Sequence, residues 1–167
     1  MKLINNLFRA ITLFSSRLAI WFTLLFFFVT SNIFATDYTI TVTAAGNSNY
    51  IFNSSGLQFT DSNDPDISVN VGDKLIFDAT SNTLASHPFA IVSQLNSSNG
   101  YSSSNEVSGV TNNGENGVLI TWDLTGVTPS EYFYVCVNRP EMRGKITVNA
   151  VTSGTDSDND GVADDVD

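Results

Sequence analysis

Cysteine occurs once, histidine once, and lysine and arginine together only seven times in this chain of 167 residues. A single cysteine excludes an internal disulfide, so Cys136 is a buried small hydrophobe, a reactive thiol, an intermolecular partner or a metal ligand. Three of the cations, Lys2, Arg9 and Arg17, fall in the first 35 residues, which contain no acid at all. The rest of the chain keeps Lys74, Arg139, Arg143 and Lys145 against all seventeen acids, a balance that argues against nucleic acid as a partner. The unbroken apolar run from Leu18 to Val29 is about 12 residues, short of the roughly 20 that a membrane-spanning helix needs. Beyond residue 35 no stretch shows a sustained helical period, which excludes a helical domain.

What is present begins with that leader. Basic residues before an apolar run, followed by "TSNIFA" with the small residue Ala35 at its end, form the pattern of a secretory signal peptide over residues 1–35. The protein is therefore expected outside the cytoplasm, in the periplasm, secreted or at the cell surface, with no membrane span in the mature chain. Residues 36–151 are one domain's worth of chain, enough to bury a core.

In this segment "DYTITVTA" alternates Tyr38, Ile40 and Val42 with threonines, the period of a half-buried strand. Further strands are expected at 49–52, 67–70, 73–79, 88–93, 117–124, 131–137 and 144–151. They are separated by turn-rich pieces such as "SNDPD", "NVGD" and "TNNGENG", where Gly, Asn and Asp supply positive φ and local hydrogen bonds. Seven to eight short strands with polar turns point to an all-β sandwich. Residues 93–107 form the longest polar gap, a surface excursion or a short helix. Asn53 and Asn96 head glycosylation sequons, which the abundance of Asn and Ser explains.

The chemistry concentrates in "EYFYVCVNRPEMRGKITV", residues 131–148, which holds Cys136 and, six positions on, Met142. His87 lies some fifty residues earlier in "SHPFAI". Thiolate, imidazole and thioether together are soft donors that suit copper in both oxidation states.

With "TITV", "VNVGDKLIF", "HPFAI", an aromatic-rich strand running into the cysteine and a closing "M-x-G-x-I-x-V", residues 37–150 resemble the cupredoxin family of type 1 copper proteins, such as plastocyanin and amicyanin. The resemblance implies a Greek-key β-sandwich, one bound copper and one-electron transfer without substrate chemistry, so no enzyme. It implies His87, Cys136 and Met142 as copper ligands, on the short amicyanin-like spacing Cys-x-x-His-x-x-Met. Arg139 stands where that spacing carries the second histidine; it stays protonated and has no lone pair to give. Three outcomes stay open. Copper binds through the three remaining ligands with Arg139 turned to solvent; or the site is metal-free, with Arg139 near the thiol, in a binding or structural module of the cell surface; or Arg139 reflects a one-base change from a histidine codon. Arg139, Arg143 and Lys145 flank the loop, which suits a redox protein with an acidic docking face; a monomer is expected.

After Val151 the composition turns abruptly acidic. In "DSDNDGVADDVD" acids at positions 1, 3, 5, 9 and 12 and Gly161 at position six match a calcium loop. Residues 152–167 resemble a thrombospondin type 3 repeat, which implies Asp156, Asp158, Asp160, the Val162 carbonyl, Asp164 and Asp167 as calcium ligands, with Asp165 turned away. A solvated acidic tail is the alternative.

Overall fold

A computed structural model describes residues 35–151; the leader before it and the acidic repeat after it lie outside the described residues. Within the described residues ten strands form two sheets. The first has the order β3-β2-β1-β5-β8-β7, built from β1 (Asp37–Ala45), β2 (Asn49–Ser54), β3 (Phe59–Asn63), β5 (Lys74–Asp78), β7 (Val110–Thr111) and β8 (Leu119–Asp123). The second has the order β4-β10-β9-β6, from β4 (Ile67–Asn70), β6 (Phe89–Val92), β9 (Ser130–Cys136) and β10 (Arg143–Asn149). Both sheets are mixed: β1 runs parallel to β5 and β10 parallel to β4, while the other pairings are antiparallel. The all-β sandwich expected from the sequence is the architecture observed. Among the described residues no helix is long and apolar enough to cross a membrane.

Period-two alternation explains the interior. Ile40 and Val42, Tyr50 and Phe52, Leu75 and Phe77, and Ile120 and Trp122 of the first sheet face Ile67 and Val69, Phe89 and Ile91, Tyr134 and Cys136, and Ile146 and Val148 of the second in one buried cluster. Strand β6 departs from alternation, since all four of its residues are buried. Its outward side chains Ala90 and Val92, with Val135 of β9, are covered by Leu95 and Tyr101 of the 93–107 excursion. That excursion carries one 3-10 turn, Ser103–Asn105.

Strands β3 and β7 are not apparent in the sequence. The first, "FTDSN", is polar, has Asp61 at a φ of 43°, and pairs with β2 across a register shift between Phe52 and Ser54. Both are edge strands, where polarity, irregularity and shortness keep the open rim from pairing with another chain. The sequon side chains are engaged: Asn53 Nδ2 donates to Asp61 Oδ1 (3.1 Å) and Asn96 Nδ2 to the Tyr101 carbonyl (2.7 Å).

Two polar contacts lock the sheets' ends. The Tyr134 hydroxyl donates to the Pro65 carbonyl (2.9 Å) and lies directly across Gly144, the paired residue on β10. The Tyr50 N–H donates to Asp64 Oδ1 (2.9 Å) and the Asp64 N–H to the Tyr50 carbonyl (3.0 Å), closing the β2–β3 end. Burial raises the half-buried Asp64 carboxyl to about 6, against the pull of the Tyr50 N–H and the Arg143 guanidinium in the other direction.

Two outcomes are expected. A Cβ on Gly144 would overlap the Tyr134 ring and hydroxyl, so Gly144→Ala should cost about 1–3 kcal/mol, read as a lower denaturant midpoint. Asp64 holds its proton more firmly folded than unfolded, where its value is about 3.9. Its effect is therefore least harmful below about pH 4, and stability falls as pH rises through about 6, by about 1 kcal/mol once solvent screening of a half-exposed group is allowed for. Denaturation of Asp64→Asn across that range should lack this fall.

Candidate metal centre

Cys136 ends β9 and His87 precedes β6, two neighbouring strands whose register pairs Cys136 with Phe89. That register brings residues 49 apart in sequence together: the His87 Nδ1 lies 3.8 Å from the Cys136 sulfur. Both side chains are buried, His87 with 3% exposure and Cys136 with none. The Met142 side chain is equally buried, and its carbonyl accepts the Cys136 N–H at 2.9 Å. The cysteine and methionine thus flank one tight loop, closed by a turn in which the Met142 N–H donates to the Arg139 carbonyl (3.1 Å).

Arg139 opens that turn with its side chain exposed. The sequence left room for its guanidinium beside the thiol; the side-chain hydrogen bond found at the Cys136 sulfur is to the His87 ring instead. Of the three cations expected around the loop, Lys145 is paired with Glu131 at 2.9 Å on the neighbouring strand. Arg143 donates to the Pro140 carbonyl. The basic patch is therefore smaller than the sequence implied.

The short backbone segment ahead of β6 is held by side chains that sequence reasoning did not single out. Tyr50 directs its hydroxyl at the carbonyls of His87 (3.1 Å) and Pro88 (3.0 Å). Burial, and the Cys136 thiol close by, push ionisation of that phenol far up, so it serves as a neutral donor. Asn138 Nδ2, from the cysteine loop, donates to the Ser86 carbonyl (2.9 Å), and Asn116 Nδ2 to those of Leu84 and Ala85 (2.9 and 2.8 Å). The 3-10 turn Asn82–Leu84 before His87 leaves these carbonyls outside any ladder, and amide side chains satisfy them. Asn and Tyr in turn-rich sequence carry no mark of such pairing, because their partners lie 31 to 52 residues away. On the other side of the loop, Gly100 is buried against Pro140: a Cβ there would meet the proline Cβ at 3.0 Å.

The donor set fits one soft metal ion. Metal–nitrogen and metal–sulfur bonds of about 2.0 and 2.3 Å, the lengths seen for zinc, together reach further than the separation of His87 Nδ1 and Cys136 Sγ. A buried thiol, imidazole and thioether favour copper over hard cations. Among the described residues no group of three His, Cys, Asp or Glu side chains is placed to hold a metal. The six proposed calcium ligands, from Asp156 to Asp167, lie outside the described residues.

Neither a protein-family model nor a curated protein sequence matches the chain. Solved structures similar to it include reduced rusticyanin, at 18% identity, covering 70% of this chain and 81% of that one with a TM-score of 0.41. Rusticyanin from Thiobacillus ferrooxidans has 18% identity over 70% of this chain and 79% of that one, with a TM-score of 0.38. Native pseudoazurin from Hyphomicrobium denitrificans has 13% identity over 67% and 74%, with a TM-score of 0.38. These neighbours are cupredoxins.

Proposed function

We propose that the protein is an exported one-electron carrier that holds a single copper ion through Cys136, His87 and Met142, with Arg139 turned to solvent at the position of a second histidine. The observation that carries this reading is the 3.8 Å separation of two buried soft donors, His87 Nδ1 and Cys136 Sγ, brought together from separate strands. Bound there, copper would supply a couple between its two oxidation states.

The chain's own residues do the rest. Tyr50, Asn116 and Asn138 hold the backbone around His87, so the imidazole meets the sulfur without rearrangement. Phe89 and Leu84, both fully buried, belong to the same apolar cluster as Cys136 and Met142 and keep water from the sulfur atoms. The exposed loop 138–141 offers a short route from the buried donors to a docking partner, and weak docking suits a carrier that must release its partner after each transfer. With Lys145 neutralised by Glu131, an acidic face on the partner would meet Arg139 and Arg143 alone. The acidic repeat after Val151 is read as a calcium site of modest, extracellular-range affinity, held by Asp156, Asp158, Asp160, the Val162 carbonyl, Asp164 and Asp167.

The inability of arginine to ligate favours a second reading, a metal-free module of the same fold. Titration of the purified protein with Cu(II) separates the two. A thiolate-to-copper charge-transfer band in the visible, lost in His87→Ala and strengthened at least about tenfold in affinity by Arg139→His, is the result expected of the carrier. A colourless protein that gives up all copper to a mild chelator would establish the metal-free module. For the repeat, isothermal calcium titration of the full chain should show one site that Asp158→Ala weakens; identical curves would leave a solvated tail.

A further inference from the structure

Asp73 is 4% exposed, and each oxygen of its carboxylate accepts one backbone N–H: Oδ1 from Thr36 at 2.9 Å, Oδ2 from Asn70 at 2.8 Å. Among the described residues it has no cation, for the two ion pairs are Lys74 with Asp37 and Lys145 with Glu131. Neutral donors alone compensate the burial of a carboxylate poorly. The nitrogen on Oδ1 belongs to the residue that follows Ala35, the small residue that ends the leader pattern. Thr36 is seated from its other side as well, its carbonyl accepting the Lys74 N–H at 2.9 Å, while both Ala35 and Thr36 are exposed. The bond between them is accessible, and the atom it would release already touches the buried carboxylate.

We propose that hydrolysis of the Ala35–Thr36 peptide bond creates the cation that Asp73 lacks. A signal peptidase of the export machinery supplies the catalysis and water is the co-reactant. The bond between the Ala35 carbonyl carbon and the Thr36 nitrogen breaks, the water oxygen completes the Ala35 carboxylate, and the freed nitrogen gains protons to become an α-ammonium at neutral pH. That ammonium forms an ion pair with Asp73 in place of the neutral hydrogen bond, which is roughly half as strong. The proposal rests on residues 1–35 being a cleaved leader and goes beyond it in the ion pair that cleavage creates. Cleavage one residue earlier would set the charge about 3.5 Å further along the chain. Cleavage one residue later would remove Thr36 and both of its contacts. Processing at this one bond therefore locks the start of β1 to the turn between β4 and β5.

Other charges near the new terminus are Asp37 on its own strand, Lys74 on β5, and Asp123 on β8, which is paired in register with Lys74. Two are acids that support the ammonium, and the lysine is drawn toward Asp37.

The test expresses the full chain in an exporting host, determines the first residue of the exported product by mass spectrometry, and follows carbamylation of its α-amine by cyanate as a function of pH. The expected product starts at Thr36. Its α-amine titrates about one unit above the ordinary 7.7–8.0, so it reacts about sevenfold more slowly near pH 7.5 when folded than in urea, and Asp73→Asn removes the difference. Simple shielding is distinguished by the direction of the shift, since burial alone lowers the pKa of an ammonium. Should Asp73→Asn fail to fold, the wild-type comparison of folded and urea-unfolded protein decides. A product beginning elsewhere overturns the assigned bond; a Thr36 terminus with an unshifted or lowered pKa overturns the ion pair and leaves the leader standing.

Discussion

Five aromatic rings fill the space between the sheets: Tyr50 and Phe52 from β2, Phe77 from β5, Phe89 from β6 and Tyr134 from β9. Their centroids lie 4.7 Å apart for Phe77 and Phe89, 4.9 Å for Phe52 and Tyr134, and 5.2 Å for Tyr50 and Phe89, so no ring can move without displacing its neighbours. Two of the five are phenols, and a buried hydroxyl must end beside an acceptor. Tyr134 ends at Pro65 and Tyr50 at His87 and Pro88. The packing of the rings thus determines where the backbone ahead of β6 must lie, and the position of the imidazole against Cys136 follows from it.

Around this apolar layer the irregular backbone is satisfied by short polar side chains acting over long sequence distances. Asn113 exchanges two hydrogen bonds with Ile91, its Oδ1 accepting the N–H (2.7 Å) and its Nδ2 donating to the carbonyl (2.9 Å), much as a neighbouring strand would. Asn116 and Asn138 close the carbonyls before His87, Asp64 closes β2, and Asp66 accepts the Lys145 N–H (3.0 Å). A chain with seven cations and many Asn, Asp and Ser residues relies on such bonds more than on ion pairs, since exposed pairs such as Lys145 with Glu131 add little. The same polar residues that mark turns in the sequence are therefore the fasteners of the candidate metal centre.

The centre is asymmetric in its exposure. Cys136, His87 and Met142 are buried in the sandwich, whereas Asn138, Arg139, Pro140 and Glu141 form an exposed cap over them. A charged guanidinium in the cap is accommodated because it remains in water, where it costs nothing to keep ionised. Gly100 allows the 93–107 excursion to rest against Pro140, so the loop is supported on its outer side by a segment that also covers Ala90 and Val92.

From the sequence alone the fold class, eight of the ten strands and the chain positions of His87, Cys136 and Met142 are legible. Alternation of apolar residues, turn-forming Gly, Asn and Asp, and the six-residue spacing from Cys136 to Met142 are local properties, and local geometry carries them directly. The edge strands β3 and β7 are not legible, since polar or two-residue strands exist only by virtue of the neighbour they pair with. The separation of His87 from Cys136, the outward course of Arg139, the pairing of Lys145 with Glu131 and the latch roles of Tyr50, Asn116 and Asn138 were decided by tertiary structure. Each depends on the register between strands distant in sequence and on which polar groups the packed core leaves in need of a partner.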